Sequence, residues 1–283
     1  MANISSQTEI KLWDYHVHLE NGLYTIEWLQ KFLETAQKRG LKEVGFSEHA
    51  YRFKQAAHLM ESKGFRKKWA EKYCTEDIDE YINLVEKAKS EGLPVKLGIE
   101  MDFIPEHEEK IKEFIDSYPW DYVLGSVHWL DEWGFDIPDL KDEWDRRDVL
   151  EVYKSYFELL GKAAESRIFD IMAHPDVIKV FGYKPDHDLT DIYEKTAKVF
   201  KNSDVCIEIS SAGLRKPVGE IYPSKEFLEV LKKYDLPVII NSDAHYPEHV
   251  GEDFDKVLKY IKPFNLDKIC SFENRKRKEV KLT

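Results

Sequence analysis

Short apolar segments alternate with amphipathic ones along most of the chain, and this alternation limits the possible folds more than any other feature. Predicted strands cover 11–18, 43–49, 95–103, 122–130, 168–174, 205–210 and 237–245. Predicted helices cover 25–39, 77–90, 106–117, 148–166, 190–202, 224–234 and 251–261. Strands that alternate with helices indicate an α/β protein with a parallel sheet, because each helix returns the chain to the same end of the sheet.

The sheet is predicted to close into a barrel. Polar or ionisable residues stand at the carboxyl ends of nearly all the strands, where an α/β barrel builds its active site. An open doubly wound sheet would gather its ligands near one switch point instead. No Gly/Ser-rich linker interrupts the pattern, so residues 1–283 are predicted to form a single domain. Residues 51–75 are predicted to be an insertion or lid and residues 131–147 a loop, with their roles left open.

Composition excludes several classes of function. The chain has 42 Lys and Arg against 54 Asp and Glu, a net charge of −12, which disfavours general binding to nucleic acid. The sequence has no run of about 18 apolar residues, so no membrane span is predicted, and no secretory signal is readable at the N-terminus. Cys74, Cys206 and Cys270 do not suggest a disulfide framework. We therefore expect a reduced, cytoplasmic protein that acts on a small molecule, of unknown oligomeric state.

Histidine and acidic residues recur where the predicted strands end, and this recurrence is the main chemical signal. The set is His16, His18, His49, Glu100, His128, His174, Asp243 and His245. A single histidine of this kind is usually structural, but recurrence at five strand ends indicates metal ligation. Burying so many ionisable groups together without a cation would be costly. Eight ligands exceed the need of one tetrahedral ion, so we predict two or three divalent ions of Zn, Fe or Mn.

The ordered motifs DYHVH, SEH, GIEMDF, GSVH, AHPD and NSDAH, between residues 12 and 250, resemble those of the PHP (polymerase and histidinol phosphatase) family. The resemblance implies a distorted seven-stranded TIM-like (β/α)7 barrel of PHP type with a trinuclear centre. By motif, the first ion would be held by His16, His18, Glu100 and Asp243. The second would share Glu100 and be completed by His128 and His174. The third would be held by His49 and His245.

One departure from the family pattern concerns the third ion. Some members have a further histidine shortly after the HxH pair, whereas the sequence here continues LENGLYTIEW. Glu20 is the obvious substitute by proximity and chemistry, and it is predicted to be a metal ligand.

The segment SSAGLRKPVGEIYPS at 210–224 looks like the histidinol-phosphatase branch of the family. That resemblance implies hydrolysis of L-histidinol phosphate, in histidine biosynthesis, by a metal-bound hydroxide. Glu100, Asp243 and His245 are the candidate catalytic residues, the last two because they are placed to act as a general acid. Arg215 follows the sixth strand and is expected to bind the substrate phosphate through its guanidinium, with Lys179 as a second candidate.

Three other functions stay open at this point. A PHP phosphoesterase could act on another phosphate ester, such as a nucleotide or phosphotyrosine. A metal-dependent amidohydrolase also uses HxH and a late Asp on a barrel, and a non-catalytic metal-binding protein would need the same ligands. Release of inorganic phosphate from a phosphomonoester distinguishes the phosphatases from the other two.

Overall fold

A curved sheet of seven parallel strands forms the centre of the protein. The computed structural model describes residues 11–282. The strands pair in chain order, from Leu12–Val17 to Val238–Asn241, and helices cover the sheet. The first and last strands meet through Val17 and Ala244, so the sheet forms a nearly closed barrel. The predicted fold class, a distorted seven-stranded (β/α)7 barrel, is confirmed.

The strands are β1 Leu12–Val17, β2 Leu41–His49, β3 Val95–Asp102, β4 Tyr122–Ser126, β5 Trp129–Leu130, β6 Trp133–Gly134, β7 Ile171–Met172, β8 Cys206–Ser210, β9 Val238–Asn241, β10 Lys268–Glu273 and β11 Lys276–Lys281. The α-helices are α1 Ile26–Lys38, α2 Phe65–Tyr73, α3 Ile78–Ser90, α4 Glu108–Asp116, α5 Val149–Glu165, α6 Thr190–Ser203, α7 Lys225–Lys233 and α8 Phe254–Ile261. Short 3-10 helices occupy Ala50–Arg52, Lys54–Met60, Pro105–His107, Pro138–Arg146, Val177–Lys179, Ala212–Arg215, Pro247–His249 and Lys262–Phe264. No helix within residues 11–282 is long and apolar enough to cross a membrane.

Local sequence explains where the first helix begins and ends. The Thr25 hydroxyl accepts a hydrogen bond from the backbone N–H of Trp28 at 3.2 Å, which satisfies a free donor of the first turn. Leu29 and Phe32 lie on one face and are buried against the sheet. Gly40 follows with a φ of +75°, a conformation that glycine adopts without a steric penalty and that ends the helix.

A tyrosine fills the barrel beside the strands that carry the site. The Tyr122 ring stacks on Tyr15 at a centroid distance of 5.0 Å, and its hydroxyl donates to the Phe46 carbonyl at 3.1 Å. A Cβ on Gly98 would lie 2.2 Å from this ring, and one on Gly45 would lie 2.4 Å from its hydroxyl. The two glycines therefore leave the space that the ring occupies, in a core that is otherwise fully packed.

The antiparallel hairpin β10–β11 covers the amino ends of the strands and was not predicted. The Trp13 indole donates to the Cys270 carbonyl at 2.8 Å, and the Arg275 N–H donates to the Asp121 carbonyl at 2.8 Å. The Arg275 guanidinium also bonds Asp170, just before β7, at 2.9 Å. This end of the barrel is thus closed by the hairpin, and the carboxyl ends of the strands remain for a site.

Several predicted boundaries differ from the structure. The strand predicted at 122–130 ends at Ser126, and the strand predicted at 168–174 is reduced to Ile171–Met172. The chain pairs with itself again after Ser126 in the short β5–β6 hairpin, so the region 131–147 is not a simple loop. It continues as the 3-10 helix Pro138–Arg146. The region 51–75 contains two 3-10 helices and α2.

Candidate metal centre

The eight residues predicted from the strand ends converge at the carboxyl end of the barrel. Three groups bring one ligand atom of each member within 4.8 Å of one another. They are His16–His18–Glu100, Glu100–His128–His174 and His18–His49–His245. We call the eight predicted residues, with Asp243 included, the floor of the site. The floor borders a cavity of about 580 Å³.

Glu100 lies at the centre of the floor and is almost completely buried. Its Oε2 atom is 2.7 Å from His49 Nδ1 and 3.3 Å from His16 Nε2. Its Oε1 atom is 3.0 Å from His174 Nε2. Because its two oxygens face different histidines, this carboxylate has the position that a residue bridging two ions requires.

Asp243 is the second carboxylate of the floor. Its Oδ1 atom is 3.1 Å from His245 Nε2 and 3.4 Å from His18 Nε2. Its φ is +52°, and His174 also has a positive φ of +26°. Non-glycine residues adopt this region at an energetic cost, and such residues concentrate at functional sites.

A second layer of carboxylates lies behind four of the histidines, on Nδ1 of each ring. The pairs are His16–Glu208 at 2.8 Å, His128–Asp102 at 2.9 Å, His245–Glu20 at 2.7 Å and His18–Glu48 at 3.4 Å. An ionised carboxylate only accepts hydrogen bonds, so in the neutral rings of His16, His128 and His245 Nδ1 carries the proton and Nε2 keeps a lone pair. This is the usual arrangement of histidines that bind metal ions.

The donor set fits divalent cations. His16 Nε2, both ring nitrogens of His18, Glu100 Oε2 and His174 Nδ1 are buried and have no hydrogen-bond partner. Buried polar atoms without a partner are rare because each loses its hydration without compensation. Imidazole with carboxylate suits Zn, Fe or Mn. The sequence prediction of a divalent metal site is therefore supported by the geometry.

The electrostatics of the floor also favour added positive charge. Burial alone would raise the pKa of Glu100, but the charges of His49 and His16 hold it well below its usual range. Burial lowers the pKa of His18, yet the carboxylates of Asp243 and Glu48, each 3.4 Å away, outweigh this effect and raise the pKa to about 9. Without cations, the carboxylates therefore favour the protonated forms of His16 and His18.

Glu20 lies at the edge of the floor, on the outer nitrogen of His245. It also accepts a hydrogen bond from Arg52 Nη1 at 3.1 Å. Burial would raise the pKa of Glu20, but the hydrogen bond from His245 and the charge of His49 lower it. In this arrangement the carboxylate orients His245, and the third group of ligand atoms consists of His18, His49 and His245. That Glu20 binds a metal ion stays a prediction.

The two cations predicted to bind phosphate have different surroundings. Arg215 Nη2 donates to the carbonyls of Ser242 and Asp243, while its buried Nη1 has no partner. One side of the guanidinium therefore binds the backbone at Ser242 and Asp243, and Nη1 is left without a hydrogen-bond partner. Lys179 is buried, and its ammonium contacts Asp176 at 3.1 Å and the Ile221 carbonyl at 3.1 Å. Lys179 thus has protein partners, and neither Lys179 nor Arg215 is among the residues that line the cavity beside the floor.

Other residues that line the cavity come from the two regions whose roles the sequence left open, or lie next to them. Tyr51 and Trp69 come from the first region, Asp136 comes from the second, and Trp129 lies just before the second. The Trp69 ring lies 5.8 Å from Tyr51 and 5.9 Å from Trp129, so the regions meet through their aromatic side chains. We call Tyr51, Trp69, Trp129 and Asp136 the roof.

Sequence reasoning missed the second layer, although two signals were present. Asp102 lies two residues after Glu100 on β3 and so shares its face. Glu208 lies within an otherwise largely apolar strand, CIEIS, and a carboxylate buried there requires a hydrogen-bond partner. The roof had no comparable signal, since aromatic residues in irregular segments are usually interpreted as core packing.

Comparisons with known proteins agree with this site. The family described as PHP domain matches residues 14–212. The probable histidinol-phosphatase of Deinococcus radiodurans is 30% identical over 269 residues, which is 94% of this chain and 98% of that protein. The histidinol-phosphatase of Bacillus subtilis is 25% identical over 259 residues, covering 82% of this chain and 92% of that protein.

A similar fold occurs among solved structures. The crystal structure of histidinol phosphate phosphatase from Lactococcus lactis, complexed with Zn, L-histidinol and phosphate, has a TM-score of 0.72. The similarity covers 95% of this chain and 99% of that chain, at 19% sequence identity. A putative histidinol phosphatase from Listeria monocytogenes gives a TM-score of 0.70 over 86% of this chain, at 18% identity.

Proposed function

We propose, since this chain belongs to the PHP domain family, that it is a metal-dependent phosphomonoesterase whose substrate is L-histidinol phosphate. The observation that carries the proposal is the floor: six histidines and two acids at one barrel end, beside a cavity that accommodates a small ester. The relatives named histidinol-phosphatase cover nearly the whole chain and support the substrate.

The predicted residues would have the following roles. His16, His18, His49, His128, His174 and His245, with Glu100 and Asp243, would hold two or three ions of Zn, Fe or Mn. Bound divalent ions lower the pKa of a coordinated water and neutralise charge on phosphate oxygens. Glu100 would keep two ions at a fixed separation, and Glu20 would fix the ring of His245.

Two further roles concern the ester itself. Arg215 would place its unpartnered Nη1 on a phosphate oxygen, because a guanidinium can bind phosphate while its other N–H groups hold the protein backbone. Asp243 and His245 are 3.1 Å apart and are our candidates for protonating the departing alcohol oxygen. Lys179, with its own partners, would stabilise the turn after His174.

A substrate panel tests the proposal. Metal-loaded protein should release phosphate from L-histidinol phosphate with a higher kcat/KM than from nucleotides, phosphotyrosine or a phosphodiester. Elemental analysis of the same sample should find divalent ions. A better ester than histidinol phosphate would contradict the substrate, and turnover of cyclic amides without phosphate release would favour an amidohydrolase. Action in the cytoplasm stays a prediction.

A further inference from the structure

Asp136 is the one acidic residue of the roof, and the chain is folded so as to bring it to the site. After His128, the β5–β6 hairpin reverses the chain, and the Phe135 N–H donates to the His128 carbonyl at 3.2 Å. Asp136, which follows Phe135, is therefore placed near His128, one of the floor histidines. The Asp136 side chain lines the cavity.

The Asp136 carboxylate lacks a partner of its own. Within residues 11–282, no other residue donates a hydrogen bond to it and no cation forms an ion pair with it. The neighbouring Asp102 differs, because its Oδ1 is 2.9 Å from His128 Nδ1 and is already engaged. Lys216, at the cavity rim, is near enough for its charge to act on Asp136 but is not paired with it.

An unpaired carboxylate on a cavity surface is an expensive arrangement that a bound cation would relieve. Burial raises the pKa of Asp136, and this effect outweighs the opposing charge of His128, while the nearby charge of Asp102 adds to it. Metal ions are not indicated as the partner, because Asp136 belongs to none of the three ligand groups and, unlike Asp243, forms no ion pair with a floor histidine. The charge therefore faces the space in which the organic part of a substrate would lie.

We propose that Asp136 binds a protonated amine of the substrate, so that this site selects phosphate monoesters of amino alcohols. This inference rests on the proposed function. L-Histidinol phosphate has the required chemistry, since its amine is on the carbon next to the ester-bearing carbon. With the phosphate at the floor, an amine so close to the ester reaches only groups that border the floor, and Asp136 is such a group. The flat ring of the substrate would then contact the aromatic residues of the roof.

The experiment compares two esters that differ only in the amine. L-Histidinol phosphate and 3-(imidazol-4-yl)propyl phosphate are hydrolysed by wild type, Asp136→Asn and the control Asp139→Asn. Asp139 is exposed on the 3-10 helix that follows Asp136 and does not line the cavity. We expect wild type to prefer the amine by about 10- to 100-fold in kcat/KM, as for one charge-assisted hydrogen bond. Asp136→Asn should lose most of this preference, and Asp139→Asn should keep it.

Binding of the alcohols provides a second readout that does not depend on turnover. In the presence of inorganic phosphate, calorimetry should show that Asp136→Asn weakens binding of L-histidinol by about tenfold or more. The amine-free alcohol should bind wild type and variant alike. Asp136→Glu keeps the charge and should restore part of the preference for the amine.

Each contrary result has a defined meaning. Equal losses for both esters, or a fall in metal content in Asp136→Asn, would show that Asp136 supports the floor and would overturn the inference. Wild type that hydrolyses both esters equally well would overturn it too, while leaving the phosphatase function standing. Wild type that hydrolyses neither ester contradicts the proposed function. In that case, amine-dependent binding of L-histidinol that Asp136→Asn removes would still support the inference, and its absence would overturn it.

Discussion

The floor and the roof border the same cavity but are built in opposite ways. Floor residues stand on parallel strands or within a few residues of them, and their side chains are held by a second layer of carboxylates. Roof residues come from helices, a short hairpin and the turn after it, and Tyr51, Trp69 and Trp129 contact one another through their aromatic rings. The floor is thus suited to fixed metal chemistry, and the roof to recognition of the organic group, which can vary without altering the metal ligands.

The largest effect should follow from removing the central carboxylate of the floor. Glu100→Ala takes away the oxygens that face His16, His49 and His174, so bound ions lose their shared ligand. We expect a fall of about 10³-fold or more in kcat, with metal content reduced in elemental analysis. Glu113→Ala, on the exposed side of α4, is the control and should leave both unchanged. Full activity in Glu100→Ala would contradict the metal centre.

Arg215 tests whether a residue just outside the floor acts on the substrate. Arg215→Ala should lower kcat/KM for L-histidinol phosphate by about 10- to 100-fold, because one charge-assisted bond to phosphate is lost. Metal content, measured on the same sample, separates the two roles of this side chain. If the loss comes with empty metal sites, the guanidinium acts by holding the Asp243 turn. Unchanged kcat/KM at full metal occupancy would remove Arg215 from the site.

Glu208 tests the second layer of the floor. Glu208→Gln weakens the acceptor that fixes the His16 ring, so the ring orients less well toward an ion. We expect metal affinity, measured by competition with a chelator, to fall by about 10- to 100-fold. Activity should recover when excess metal is added. Glu229→Gln, exposed on α7, should leave the affinity unchanged. Equal affinity in Glu208→Gln and wild type would limit Glu208 to a packing role.

The smallest of these effects is expected in the roof. Trp69→Ala removes the ring that joins Tyr51 to Trp129. KM for L-histidinol phosphate should rise by about fivefold, in keeping with one aromatic contact, while KM for p-nitrophenyl phosphate changes less. Metal content should not change. A loss of metal together with activity would show that floor and roof are not separate in function.

The floor could be predicted from the sequence because its pattern is local. The two-residue spacing of His16 and His18 fixes a shared face on any strand, and parallel strands bring their carboxyl ends together whatever the details of packing. The same reasoning predicted the barrel. The shortness of β7 did not affect the prediction of the floor, because His174 still follows the end of that strand.

The roof could not be predicted because nothing periodic places it. Asp136 reaches the cavity through a chain reversal of only two residues per strand, too short to produce a strand pattern. Trp69 contacts Trp129, which is 60 positions further along the chain, and nothing in the sequence of either segment predicts this contact. The C-terminal hairpin was missed for a different reason, since its two strands pair with each other and lie outside the alternation of strands and helices.

The junction of the first and last strands has a consequence for how the chain assembles. Ala244 accepts from the His18 N–H at 2.8 Å and donates to the His16 carbonyl at 3.0 Å, so the barrel closes between residues that flank the metal ligands. Joining residues more than 220 positions apart carries a large loop-closure entropy, and cations bridging the two segments would offset it. We therefore predict that closure of the barrel and loading of the centre are coupled. Amide hydrogen exchange at His18 and Ala244 should therefore slow when the ions bind, whereas exchange in the helices should not change.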